Sequence, residues 1–309
     1  MFIKDSLHLD ANEVEYFNLQ LSYIQQKLWQ VKHKPLKALT LIPANPSAPP
    51  GAKEVRYRIY DGIGQARIIS DYSDDLPEVD VYGKEFTAQF KLLGARYSYT
   101  IEDIKASAMT GINLDTQKAL KAKRTIDELI DTIAWLGDAD TGLLGLLKYP
   151  GILEYIVPAD GTGGFKTWAS KSPDQMIRDC VGLYSTVLVT TNGVENPDTM
   201  IFPLQQFTFA ASTRLPYGGD LTVMEFLKKV LPNINKFDFV NELKGIGAGG
   251  TDRFMTYVRD PEHLDFQIPQ PFEQRPPEAR NLTYRVNCIS KVGGVIVYYP
   301  QSIAFGDGI

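Results

Sequence analysis

No apolar run in the sequence approaches the roughly 20 residues that a membrane-spanning helix needs, so no span is expected. Cysteine is scarce: the two present, Cys180 and Cys288, lie far apart in apolar surroundings. That excludes a disulfide framework and predicts reduced core residues. Histidine is nearly as scarce, and His8, His33 and His263 share no metal-ligand spacing. Neither HExxH nor CxxC occurs. A surplus of positive charge is also missing. The net charge of −5 argues against a sequence-independent nucleic-acid binder. The N-terminus, MFIKDSLHLDANEVEYF, is too polar for a signal peptide, so synthesis and folding in a cytoplasm are expected.

Catalytic motifs are absent too. There is no GxSxG elbow and no P-loop. Gly245–Gly250 satisfies GxGxxG by letter, but Arg253–Val258 after it reads as a strand, not the helix a dinucleotide site requires. A flexible strand-to-strand loop is expected there. Asp138, Asp140 and Gly142 resemble half a calcium loop, yet Tyr149 stands where the closing Glu belongs. The acids Asp71, Asp74, Asp75, Glu78 and Asp80 are better read as a solvated hairpin tip than as a cation site. No enzyme, cofactor or metal is expected.

What the sequence does contain is long regular elements. At 309 residues it exceeds one simple core, and 44% hydrophobic with 22% charged residues is ordinary for a globular protein. Asn113–Leu136 reads as one helix, with Asn113 as N-cap and Gly137 as its stop. Ala119, Ala122, Ile126, Leu129, Ile130, Ile133 and Leu136 form an apolar stripe. The other face carries Lys118, Lys121, Lys123 and Arg124 early, then Asp127, Glu128 and Asp131. It is either a solvated face or a surface that meets another subunit.

Taken in order, residues 13–29 form an amphipathic helix, and residues 41–53, with Pro43, Pro46, Pro49 and Pro50, form a stiff extended stretch. That stretch is a linker or an arm reaching onto a neighbour. Residues 56–90 alternate with period two and read as a long two-stranded hairpin around Asp71–Glu78. Phe86, Ala88, Phe90 and Leu92 are expected on one face. An isolated hairpin is marginal in water, so it must lie on something. Thr100–Asp103 opens a short helix with a capping box. After a glycine-punctuated turn at 137–147, Ser172–Pro173 starts a helix to about Leu188. A strand at Thr199–Phe202, helices at Leu204–Ala211 and Thr222–Leu231, and strands at Lys236–Leu243 and Arg253–Val258 follow. Residues 261–279, with five prolines, read as an extended return path. Asn281–Ile289 and Gly294–Tyr299 are the last strands.

This order resembles the major capsid proteins of tailed bacteriophages, an α+β fold with an N-terminal arm, an extended β-hairpin loop, a peripheral domain with a long spine helix, and an axial domain. The segments carrying the likeness are Tyr57–Ala66, Asp74–Val81, Tyr97–Ile104, Gly137–Leu147 and Arg285–Pro300. It spans residue 54 to the C-terminus and is strongest over 54–147. The resemblance implies an arm at 1–55, a loop at 56–85, a peripheral domain at 86–150 and 265–299 with its spine at 113–136, and an axial domain at 151–264 and 300–309. It implies a shell subunit that self-assembles into the icosahedral head of a tailed double-stranded DNA phage, made in the host bacterial cytoplasm and ending in the virion. Partners would be copies of itself, in pentamers and hexamers. The head would enclose DNA without sequence-specific binding, and scaffold, portal and decoration proteins would be further partners.

An encapsulin-type nanocompartment shell shares this fold and is one rival; a monomeric α+β enzyme of unknown chemistry is the other. Some shells of this fold are locked by isopeptide links from a loop lysine. Here no lysine lies between Arg58 and Gly83, so a non-covalent hold is expected, by the hairpin's apolar alternating face together with ion pairs at its tip. Asp71, Asp74, Asp75 and Glu78 at the tip would meet Lys118, Lys121 and Arg124 on a neighbour's spine helix. The stretch before the hairpin is too short for a fused coiled-coil scaffold, so the residues around Met1 are expected to persist in mature particles.

Overall fold

The computed structural model describes residues 34–64, 78–110, 114–216 and 220–309. The chain divides into two units, Met1–Pro35 and Leu36–Ile309. Of the first, only residues 34 and 35 are described, and every described helix and strand lies in the second. The expected helix at 13–29, the cap Asn113, and Asp71, Asp74 and Asp75 lie outside the described residues.

A short helix α1 (Ala38–Leu41) leads into strand β1 (Ala44–Asn45). Leu41 and Ile42 are fully buried. The prolines that follow keep the strand short, and it takes an edge position, pairing parallel to residues Leu264–Gln267.

Strands β2 (Glu54–Ile63) and β3 (Asp80–Gln89) form the expected hairpin, in register from Glu54 opposite Gln89 to Ile63 opposite Asp80. The alternation slips at its end. Phe90 is buried, but Leu92 is 62% exposed and Leu93 turns inward instead. The chain breaks register at Phe90, between β3 and β4 (Lys91–Thr100), and β4 pairs along its whole length with Thr283–Val292. The capping box is present: the Asp103 amide donates to Thr100 Oγ1 at 3.0 Å, and the Thr100 amide to Asp103 Oδ2 at 3.2 Å. It opens α2 (Ile101–Thr110).

The long helix α3 spans Leu114–Leu136. Ala122, Ile126, Ile130 and Ile133 are buried as the spacing predicts. Two positions differ from expectation. Leu129 flanks the stripe and is exposed, and Asp131, expected on the charged face, is buried because it accepts backbone hydrogen bonds from α1. Gly137 ends the helix in the left-handed region at φ 72°. The returning turn crosses so closely that a Cβ at Gly145 would lie 2.1 Å from the Gly137 nitrogen.

Next come β5 (Leu153–Ile156), α4 (Pro173–Thr190), β6 (Thr199–Phe202), α5 (Leu204–Ser212), α6 (Val223–Val230), β7 (Lys236–Phe239) and β8 (Arg253–Tyr257). Ser172 with Gln175 and Thr222 with Glu225 make full capping boxes on α4 and α6. The glycine-rich loop is an anchored turn: the Gly245 amide donates to Asp252 at 2.9 Å and the Ala248 amide to Asp307 at 2.8 Å.

The proline-rich return path is instead three strands, β9 (Leu264–Gln267), β10 (Gln270–Gln274) and β11 (Glu278–Arg280). Pro271 is tolerated because β10 is an edge strand that shifts register between Gln270 and Glu273. Then follow β12 (Thr283–Val292), β13 (Val295–Val297) and β14 (Ile303–Asp307). β12 and β13 are not hairpin partners. β12 pairs with β4, β10 and β11, whereas β13 crosses to β9.

The five-stranded sheet β5-β14-β8-β6-β7 is the central layer. Its strands alternate between two cores. Ile201, Met255, Tyr257, Ile303 and Phe305 face the core that contains α3 and α1. Met200, Phe202, Phe254 and Ala304 face the core built with α4, α5 and α6.

Candidate subunit-interface surfaces

Ten paired positions at about 3.3 Å each make the hairpin roughly 33 Å long over its described part. Its base is fastened to the body by one aromatic cluster. The Tyr57 ring stacks on Phe86 at 5.3 Å and meets Tyr298 edge-on at 5.2 Å. Burial pushes the Tyr57 hydroxyl well above the usual phenol range, helped by Tyr149. Farther out, both faces are open. Tyr60, Val81 and Tyr82 are 64%, 63% and 60% exposed, and Ile63 and Val79 are exposed beside them. Tyr60 lies across the strand pair over Gly83, where an added Cβ would come within 2.9 Å of its ring. Arg58 pairs with Glu85 at 2.9 Å and Arg56 with Glu54 at 2.7 Å, all in water, so these pairs fix side-chain positions more than they stabilise.

Of the tip acids, Glu78 is described and exposed. On α3, Lys118 is already engaged within the subunit. Its ammonium donates to the Ser98 carbonyl at 2.8 Å, lies 3.5 Å from Asp103 and stands 4.3 Å from the Tyr99 ring centroid. Arg124 donates to Glu128, one turn on, at 2.8 Å. Lys121 is exposed. The apolar alternating face expected of the hairpin is exposed on its outer part, at Tyr60, Ile63, Val79, Val81 and Tyr82, residues the sequence reading did not single out by number.

Residues 64–309 match the model of the major capsid protein family. The chain belongs to that family. A major capsid protein is a structural component of the virion that self-associates into a multisubunit shell. No curated protein matches the chain. Solved structures share its fold at low identity. The capsid of Myoviridae Phage XM1 is 19% identical, with 94% of this chain and 98% of that chain covered and a TM-score of 0.80. A structure from Mycobacterium phage Bobi is 12% identical, covering 96% and 97% of the two chains, with a TM-score of 0.65. The virus-like particle from Pyrococcus furiosus is 14% identical, covering 87% and 91%, with a TM-score of 0.57. The nanocompartment alternative is therefore not favoured, because the family model is that of capsid proteins. No helix among the described residues is long and apolar enough to cross a membrane.

Proposed function

We propose that this major capsid protein closes its shell from rings of five and six subunits, and that the outer hairpin lies across a neighbouring subunit as the main strap. One observation carries this: about half of a 33 Å hairpin presents tyrosine and valine to water on a two-stranded sheet, and nothing in the described part of its own chain covers it. The proposed layout is an arm at 1–55, a loop at 56–85, a peripheral domain at 86–150 and 265–299, and an axial domain at 151–264 and 300–309. The placement of the five-stranded sheet and of α3 in different segments supports it.

The hold is non-covalent, through the hairpin's apolar side chains and the tip acids Asp71, Asp74, Asp75 and Glu78. Lys121 is the favoured basic partner on a neighbour, and Lys118 and Arg124 can serve only by sharing their present partners. The shell encloses double-stranded DNA without reading its sequence, as its charge of −5 suits. Scaffold, portal and decoration proteins are further proposed partners, and the host cytoplasm is the proposed site of synthesis.

Electron microscopy of the purified chain is expected to show closed particles. A monomer near 35 kDa in size-exclusion chromatography under all conditions would refute assembly. On a denaturing gel, mature particles are expected to run as one band near 35 kDa. A ladder that survives boiling and reductant would end the non-covalent account.

A further inference from the structure

The stretch Lys37–Asn45 is tied to four separate elements. At its start the amides of Lys37 and Ala38 both donate to Oδ1 of Asp131 on α3, at 2.9 and 2.8 Å. No side chain within the stretch caps α1, so Asp131 does so from another helix. The Lys37 ammonium reaches the five-stranded sheet. It pairs with Asp238 on β7 at 2.5 Å and stands 3.2 Å from the Phe239 ring centroid. Tyr257 on β8 donates its hydroxyl to the Leu41 carbonyl at 2.9 Å. The Pro43 carbonyl accepts from the Phe266 amide at 2.8 Å, and Asn45 Nδ2 donates to the buried Asp265 at 2.7 Å. Between these polar ties, Leu41 and Ile42 are fully buried in the core shared by α3 and the sheet.

We infer that Lys37–Asn45 is a clasp that fixes the angle between α3 and the five-stranded sheet, and that it opens as a unit without either core unfolding. The stretch contributes three small or medium apolar side chains to its core, Ala38, Leu41 and Ile42, so its own opening costs less than loss of that core. Its ends are held by charge-assisted bonds and by a two-residue edge strand, which release together or not at all. Asp131 is the positioning residue of this device.

Hydrogen exchange on the full chain tests the inference, with Lys37→Met/Asp131→Ala as the variant. Amides of Leu41, Ile42, Phe266 and Ile268 are expected to exchange about tenfold faster or more, while those of Val187 and Ile133 hold their rates. Uniform acceleration, or none, overturns the clasp. Asp131→Asn keeps an acceptor oxygen and is expected to restore most of the protection; absence of rescue overturns the capping role. Spin labels at the exposed positions 121 on α3 and 154 on β5 report the disposition of α3 against the sheet. A broader distance distribution in the double variant is expected, and an unchanged one refutes control of the angle. Should the double variant not fold, Tyr257→Phe is judged by the same local-against-uniform criterion.

Discussion

Replacing Tyr60, Val81 and Tyr82 together by serine is expected to leave the subunit folded and to abolish shell formation. In the isolated subunit all three are mostly in water. Their removal therefore opens no cavity, and stability should stay within about 0.5 kcal/mol per site of the parent. In the proposed strap they lose that water to a neighbour. Burying one such side chain contributes roughly 1.5–3 kcal/mol, so three supply on the order of 5 kcal/mol or more to each strap contact. At about 1.4 kcal/mol per decade, that is a factor of more than 10³ in the association constant of each contact.

Sedimentation of matched concentrations, with circular dichroism as a folding control, reads both quantities. Shells at the parent concentration would sink the strap account. Tyr57→Ser is the contrasting variant. It removes the stack on Phe86 and the edge contact with Tyr298, so it should loosen the hairpin base within the subunit as well as weaken assembly.

Those elements whose signal is local were legible in the sequence. The hairpin showed in a period of two, and α4 and α6 in the Ser172–Gln175 and Thr222–Glu225 pairs. The strand Thr199–Phe202 showed in four consecutive apolar or β-favouring residues. Signals that depend on distant partners were lost. Asp131 looked solvated because its partners, Lys37 and Ala38, lie 94 and 93 residues away. Lys118 looked free because Ser98 and Asp103 reach it from β4 and α2. Pro269 and Pro271 suggested loop, yet an edge strand tolerates a missing donor, so β10 escaped notice. β14 was missed because its five residues follow directly on the Pro300–Ser302 turn and include Gly306, so no strand pattern shows. For the candidate interface, the hairpin and its alternating apolar face were legible, but not which of its side chains stay in water, because that depends on where Tyr57 and Phe86 meet Tyr298 of the body.

The largest loss of subunit stability is expected from Asp179→Ala. Asp179 and Lys171 are both fully buried, with Nζ 2.6 Å from Oδ2. Arg178 donates to the other oxygen of Asp179 at 2.9 Å, and Asp160 stands 3.5 Å from the lysine. Two cations and two carboxylates thus form one neutral network where the Trp168–Ser170 turn meets α4. Truncating Asp179 leaves the Lys171 ammonium out of water with only the longer, 3.5 Å contact to Asp160, a carboxylate already shared with Arg178. Breaking one side of a buried pair costs about 3–5 kcal/mol. Replacing both charges, as Lys171→Met with Asp179→Leu, removes the desolvation cost along with the attraction and is expected to stay near parent stability. Arg178 keeps Asp160 in that variant. Urea unfolding of the three proteins decides the matter. If the double variant falls as far as Asp179→Ala, the network holds the fold through its geometry and not through charge balance.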